Sequence, residues 1–308
     1  MNEPPSQRAR ELLRGAYDTH MHISPDVVPR IVDDLTLARR FADLGLDGLV
    51  LKSHYTSTAE RAAVVRAAVP GVQVLGAIVL NRAVGGMNPL AVEVAGREGA
   101  RTVWMPTVDA VNEAGEREVN QSHPTAKVPV WVKLQLDLRE QGIEIEPVPV
   151  VDGAGVVLPE TLAVLERVAA HGMVLATGHL GRDEIFAVVD AAIQAGVRDI
   201  VITHPEFPAQ NLSLDDQAAL VSRGALLERC FTTPHTGKIE WDQWIENIRA
   251  GGAANSVLST DLGQTFNPPV EDGMAIMVDR LLEAGFSEDD VHVMAVQNTR
   301  RVAGAPVR

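Results

Sequence analysis

Two histidines stand two residues apart in Asp18-Thr19-His20-Met21-His22, where the first strand of this chain should end. Positions i and i+2 of a strand point to the same side, so both imidazoles can grip one ion, an arrangement that packing alone does not explain. Other groups able to bind metal recur at strand ends: Lys52 and His54 after the second strand, His179 after the fifth, His204 after the sixth and Asp261 after the eighth. Converging imidazoles and a carboxylate suit one or two divalent transition metals, because the protonated imidazoles would repel one another. Such ions bring the pKa of a bound water to ~7, which makes hydroxide at neutral pH. Asp261 could orient it and take its proton, while the metal or a cationic Lys52 or His54 steadies the developing oxyanion. A carbonyl substrate follows, a small-molecule acyl compound.

The elements that must position these residues alternate. Strands are expected at Ala16 to Ile23, Gly48 to Lys52, Val72 to Val79, Arg101 to Met105, Met173 to Thr177, Asp199 to Thr203, Ala225 to Cys230 and Ser256 to Thr260. Helical spacing of apolar residues separates them, as in Leu35, Ala38, Phe41 and Ala42. Gly45 ends that helix, and Asn88 caps another with Pro89 at its first turn. Eight strand-helix units predict an α/β chain folded as a (β/α)8 TIM barrel, a single domain over residues 1–308. An open doubly wound sheet should instead carry a phosphate-binding glycine fingerprint where His20 and His22 stand. Alternation pauses from about Val108 to Gly155, an insertion after strand four with a short strand-like stretch, Val128 to Leu136. Trp131, Val128, Val130 and Val132 could form an apolar lid there, or the insertion could serve as a dimer contact.

Composition narrows the partners. A net charge of −14 and no compact basic run argue against nucleic acid. No apolar run reaches the ~18 residues of a membrane span, and the N-terminus lacks the apolar core of a signal peptide, so a soluble, cytoplasmic protein is expected. The single cysteine, Cys230, cannot form an internal disulfide and reads as a small buried hydrophobe. A homo-oligomer is left open.

The residues His20-Met-His22, His179 in Thr-Gly-His-Leu-Gly, His204 in Thr-His-Pro-Glu-Phe and Asp261 in Ser-Thr-Asp-Leu-Gly resemble the ligand order of the amidohydrolase superfamily of metal-dependent barrels. The resemblance runs from about Ala16 to Arg301. It implies one or two bound metals held by His20, His22, His179, His204 and Asp261, a metal-held hydroxide, and Asp261 as its proton acceptor. Two-metal members commonly bridge their ions through a carboxylated lysine or a glutamate of strand four, which Val103-Trp-Met-Pro-Thr-Val108 does not offer. Lys52 could supply that bridge as a carbamate from strand two, or act unmodified as an electrophile, and His54 could be a further ligand or a substrate contact. More narrowly, Asp-Thr-His-Met-His-Ile-Ser-Pro-Asp with Leu-Lys-Ser-His-Tyr is similar to an amidohydrolase-like family that includes a non-haem di-iron type III thioesterase of platensimycin and platencin biosynthesis. That similarity implies hydrolysis of an acyl-coenzyme A thioester in secondary metabolism, with iron favoured over zinc or manganese. An amide or lactone hydrolase, a metal-dependent decarboxylase or a ligand-binding barrel are the alternatives.

Other polar residues carry plainer expectations. Asp18 should accept hydrogen bonds behind the histidines rather than bind metal. Glu228 could reach the mouth from strand seven or pair with an arginine, and Glu206 likewise. His235 could touch substrate, whereas His171 faces the opposite end and His292 lies in a terminal helix. Tyr55, Phe207 and Phe231 follow strand ends and suggest a partly aromatic pocket.

Overall fold

A computed structural model describes residues 4–113 and 130–306. At its centre stand eight parallel strands: β1 (Tyr17–Met21), β2 (Gly48–Leu51), β3 (Gln73–Val79), β4 (Ala100–Trp104), β5 (Val174–Ala176), β6 (Ile200–Ile202), β7 (Leu226–Cys230) and β8 (Ser256–Ser259). Each bonds to the next in sequence order. Past β8 the chain returns to β1: the Asp261 N–H donates to His20 O at 2.7 Å, and the His22 N–H donates to Leu262 O at 2.7 Å. These bonds close the expected (β/α)8 barrel and set Asp261 beside both histidines.

Period-two alternation divides the strand side chains. Val50, Ala77, Val79, Trp104, Val174, Ala176, Val201, Leu226 and Val257 pack together inside the barrel. Their neighbours turn outward under the helices, where Leu49 and Leu51 meet Leu37, Ala38 and Phe41 of the helix Asp34–Leu44. That helix starts where the Asp33 carboxylate accepts the Thr36 N–H at 2.9 Å, and it stops at Gly45 with φ 77°.

The segment between β4 and β5 corrects one expectation. Where a strand-like stretch was expected over Val128 to Leu136, a helix runs from Val130 to Glu140. Leu134, Leu136 and Leu138 alternate like a strand, but the run lacks a sheet edge to join, and Lys133, Gln135, Arg139 and Glu140 are good helix formers. The lid read from Trp131, Val128, Val130 and Val132 falls outside the described side chains. Among the described residues no helix is long and apolar enough to cross a membrane.

Candidate metal centre

Strand β1 presents Asp18 and His20 to the barrel interior, with His22 following at its mouth. The Nδ1 of His20 lies 3.1 Å from Glu228 Oε1 on β7, and Ser259 Oγ donates to the same carboxylate oxygen at 2.9 Å. A carboxylate at Nδ1 fixes a proton there and turns Nε2 inward as the basic atom. That Nε2 lies 3.2 Å from Asp261 Oδ1, and His22 Nε2 lies 3.1 Å from the same oxygen. Three basic atoms thus gather around one point.

Lys52 follows β2 and is 1% exposed, with Nζ 2.8 Å from His20 Nε2 and 5.1 Å from the centre of the Trp104 ring. Two nitrogens at that distance need one proton between them. The remaining histidines join the cluster through ring contacts, some stacked and some edge-on. Ring centroids run 5.5 Å from His20 to His22, 4.6 Å to His54, 6.3 Å to His179, 5.1 Å to His204 and 6.2 Å back to His20. All the residues singled out for the site (His20, His22, Lys52, His54, His179, His204 and Asp261) therefore share the barrel mouth.

Residues without a sequence signal hold this ring in place. Glu113, 1% exposed, faces His179 Nδ1 at 2.6 Å, and the Asn112 side chain donates to the carbonyls of His179 and Ala209 at 3.2 and 2.7 Å. Thr107 Oγ1 meets His54 Nδ1 at 2.8 Å. Strand β4 supplies no bridging group, yet the loop behind it orients two of the five imidazoles. Helical or strand periodicity could not have found these residues. The one available cue was an acidic and an amide side chain inside the apolar turn after β4.

The other expectations sort cleanly. Asp18 accepts the N–H groups of His20 and Thr260 at 3.2 and 3.1 Å and the Thr260 hydroxyl at 2.5 Å, the supporting role anticipated. Glu228 takes the site role, while Glu206 forms a buried ion pair with Arg229. Tyr55 and Phe207 lie against His54 and His204, with centroids 6.1 and 4.9 Å apart. Phe231 turns instead into the core, where His235 stacks on it at 4.7 Å. Cys230 Sγ stands 3.8 Å from His20 Nδ1, and burial pushes its thiol well above the ordinary range. His171 bonds Glu93 away from the mouth.

Burial and mutual charge set the protonation. Burial drives His22 and His54 well below the ordinary imidazole value, and it brings His204 down to about 3 with His179 adding to the effect. For His20, burial and Lys52 work downward, but Glu228 and Asp261 outweigh them and raise it to about 9. Burial would raise Glu228 and Asp261, yet His20 holds Glu228 at about 2, and His20 with His22 holds Asp261 well below the usual carboxylate range. Burial lowers Lys52, and burial raises Asp18 to about 7.

Backbone strain concentrates here too. His204 and Asp261 have φ of 25° and 52°, values that non-glycine residues adopt rarely and that cluster at functional sites. At Gly263, φ 130°, a Cβ would fall 1.5 Å from His22 O, so only glycine lets the loop after β8 lie against β1.

The donor set fits a divalent cation. His20 and His179 have their Nδ1 atoms occupied by carboxylates, which leaves each Nε2 basic. The Nδ1 atoms of His22 and His204 are buried without a hydrogen-bond partner. Imidazole and carboxylate ligands suit zinc, iron or manganese.

Comparison with known proteins gives one family and many folds of the same kind. A family model described as "Family of unknown function (DUF6282)" matches residues 15–228. No curated protein matches the sequence. Among solved structures, an amidohydrolase from Pseudomonas aeruginosa is similar over 96% of this chain and 99% of its own, at 12% identity and a TM-score of 0.60. The probable dipeptidase PvdM from the same organism aligns over 97% of both chains, at 12% identity and a TM-score of 0.61. An amidohydrolase from Burkholderia multivorans with bound zinc covers 94% of this chain and 99% of its own, at 11% identity and a TM-score of 0.57. At these identities the likeness is one of fold.

Proposed function

Because the chain belongs to DUF6282, a family of unknown function, its activity must be argued from its site, and we propose that it is a metal-dependent hydrolase of a small-molecule acyl bond. The observation that carries this is the approach of His20 Nε2 and His22 Nε2 to one oxygen of Asp261, at 3.2 and 3.1 Å, at the mouth of a (β/α)8 barrel. The fold shared with an amidohydrolase and a dipeptidase supports the amidohydrolase resemblance, and the zinc in one neighbour supports a divalent ion.

His20, His22 and Asp261 would hold one ion, with His179 and His204 placed for a second. A divalent cation there supplies Lewis acidity toward a carbonyl oxygen and raises the acidity of water. The chain's own groups do the rest. Glu228 and Glu113 keep the basic Nε2 atoms of His20 and His179 turned inward. Asp261 accepts the proton of the attacking water. Lys52 lies where a cation can face the developing oxyanion. Tyr55 and Phe207 offer apolar walls to an acyl group.

Among acyl bonds we favour a thioester, with acyl-coenzyme A of secondary metabolism as the substrate class and iron as the metal. A thiolate can leave without a proton, whereas an amine would need the one that Asp261 has taken from water to be handed back to it. The β1 and β2 motifs support the same choice.

Elemental analysis of protein purified without chelators, followed by a panel of acyl-coenzyme A thioesters read by thiol release, tests the proposal. About one or two metal equivalents and metal-dependent thiol release are expected. Cleavage of amides or lactones alone would overturn the thioester assignment, and carbon dioxide release without hydrolysis would mark a lyase. Essentially no metal, with no activity restored by iron, zinc or manganese, would overturn the hydrolase.

A further inference from the structure

His54 stands in the ring of imidazoles, yet its hydrogen bonds set it apart from the others. Asn81, fully buried, decides the matter. Its Oδ1 accepts two backbone N–H groups, from Thr107 at 2.9 Å and Asp109 at 3.3 Å, which fixes the amide's orientation. Its Nδ2 therefore donates both protons, one to His54 O at 3.0 Å and one to Thr107 Oγ1 at 2.8 Å. Thr107 Oγ1 is thereby an acceptor from Asn81, and among the described residues the one other partner open to its own proton is His54 Nδ1, at 2.8 Å. A neutral imidazole that accepts at Nδ1 carries its proton on Nε2. The contrast with His20 and His179 is direct, because carboxylates there accept from Nδ1 and leave Nε2 as the basic atom.

Ring geometry agrees. The His54 and His22 planes differ by 23° with centroids 4.6 Å apart. Imidazole lone pairs lie in the ring plane, so two stacked, nearly parallel rings cannot direct them at one ion ~2.1 Å from each.

We propose that His54 enters the site as a hydrogen-bond donor through Nε2–H, aimed at an oxygen of the substrate, and not as a metal ligand. The Asn81–Thr107 pair is the device that sets this tautomer. The inference rests on the hydrolase reading for its substrate oxygen, but the tautomer itself does not. A substrate suited to this donor presents an acceptor oxygen, as the carbonyl of an acyl group does.

Long-range proton–nitrogen correlation spectra of metal-free protein labelled with 15N-histidine read the tautomer directly. A protonated Nε2 and an unprotonated Nδ1 at His54 are expected, with the signals identified by their loss in His54→Gln. In Thr107→Val the Nε2–H form should lose its excess, and Thr107→Ser should restore it; this pair assigns the signals if His54→Gln does not fold. Zinc equivalents retained after loading and dialysis give the second readout. His54→Gln should keep the parent's number, while His22→Gln should lose one. A protonated Nδ1 at His54, or loss of a zinc equivalent in His54→Gln, would overturn the proposal. If the parent holds none of zinc, iron or manganese, the hydrolase reading fails and the spectrum still decides the tautomer.

Discussion

Lys52 Nζ and His20 Nε2 lie 2.8 Å apart and share one proton, on the same lone pair that an ion bound by His20 would need. Burial lowers the affinity of Lys52 for that proton, while Glu228 and Asp261 raise that of His20 against burial. The lysine therefore competes with metal. Removing it in Lys52→Met should tighten zinc binding by about tenfold, the equivalent of one pKa unit. Calorimetric titration with zinc measures the change. Weaker binding in the variant would mean that Nζ, bare or as a carbamate, donates to the ion.

Asp261 and His179 sit at opposite sides of the imidazole ring, and each should be indispensable. Asp261→Asn or His179→Ala should lower the proposed hydrolytic turnover by about 10³-fold or more, with a cooperative unfolding transition retained. Near-parental rates in either variant, at matched metal content, would remove that residue from the site.

Among the described residues Glu113 meets the site through His179 Nδ1, at 2.6 Å. Glu113→Ala should cost about 10- to 100-fold in metal affinity, the usual penalty for losing a partner behind a histidine ligand. Glu113→Gln, whose amide oxygen can still accept from Nδ1, should recover part of it. Equal zinc affinity in all three proteins would show that His179 needs no such support.

These cases explain what the sequence made legible. His20 and His22 stood out because strand alternation puts i and i+2 on one side, and Lys52, His54, His179, His204 and Asp261 stood out because each follows a strand end. Glu113 lies 66 positions before its histidine, and Glu228 lies 208 positions after His20. Such pairings are made by barrel closure, so no local pattern announces them. The helix Val130–Glu140 departs from the strand-like expectation for the converse reason: alternating apolar residues imitate a strand, and only the lack of a pairing edge decides otherwise.

Gly263 offers a test of the seam that joins β8 to β1. A methyl group at this position would collide with the His22 carbonyl and would also need a backbone with φ 130°. Gly263→Ala should destabilise the protein by about 3 kcal/mol or more, since the backbone must move on both counts. Urea unfolding reports the loss, and zinc titration should weaken with it, because displacing this loop shifts Asp261 relative to His22. A variant as stable as the parent would show that the loop does not lie where the seam requires it.

Away from the mouth, Glu93 gives a dependence on pH whose sign is fixed. Its carboxylate accepts hydrogen bonds from the His171 ring at 2.9 Å and from Arg97 Nε at 2.7 Å, and these hold its pKa at about 2, against an ordinary value of 4.5. A folded-state pKa below the unfolded one stabilises the fold wherever the unfolded chain is already ionised. The contribution is therefore complete above 4.5, shrinks as the pH falls through that value toward 2, and vanishes below it. The pair is partly exposed, so the effect is small and best read as a difference. Urea midpoints of the parent and Glu93→Gln should be furthest apart near neutrality and should converge on acidification. A gap that widens as the pH drops would mean that the Glu93 carboxylate is not stabilised by these partners in the folded protein.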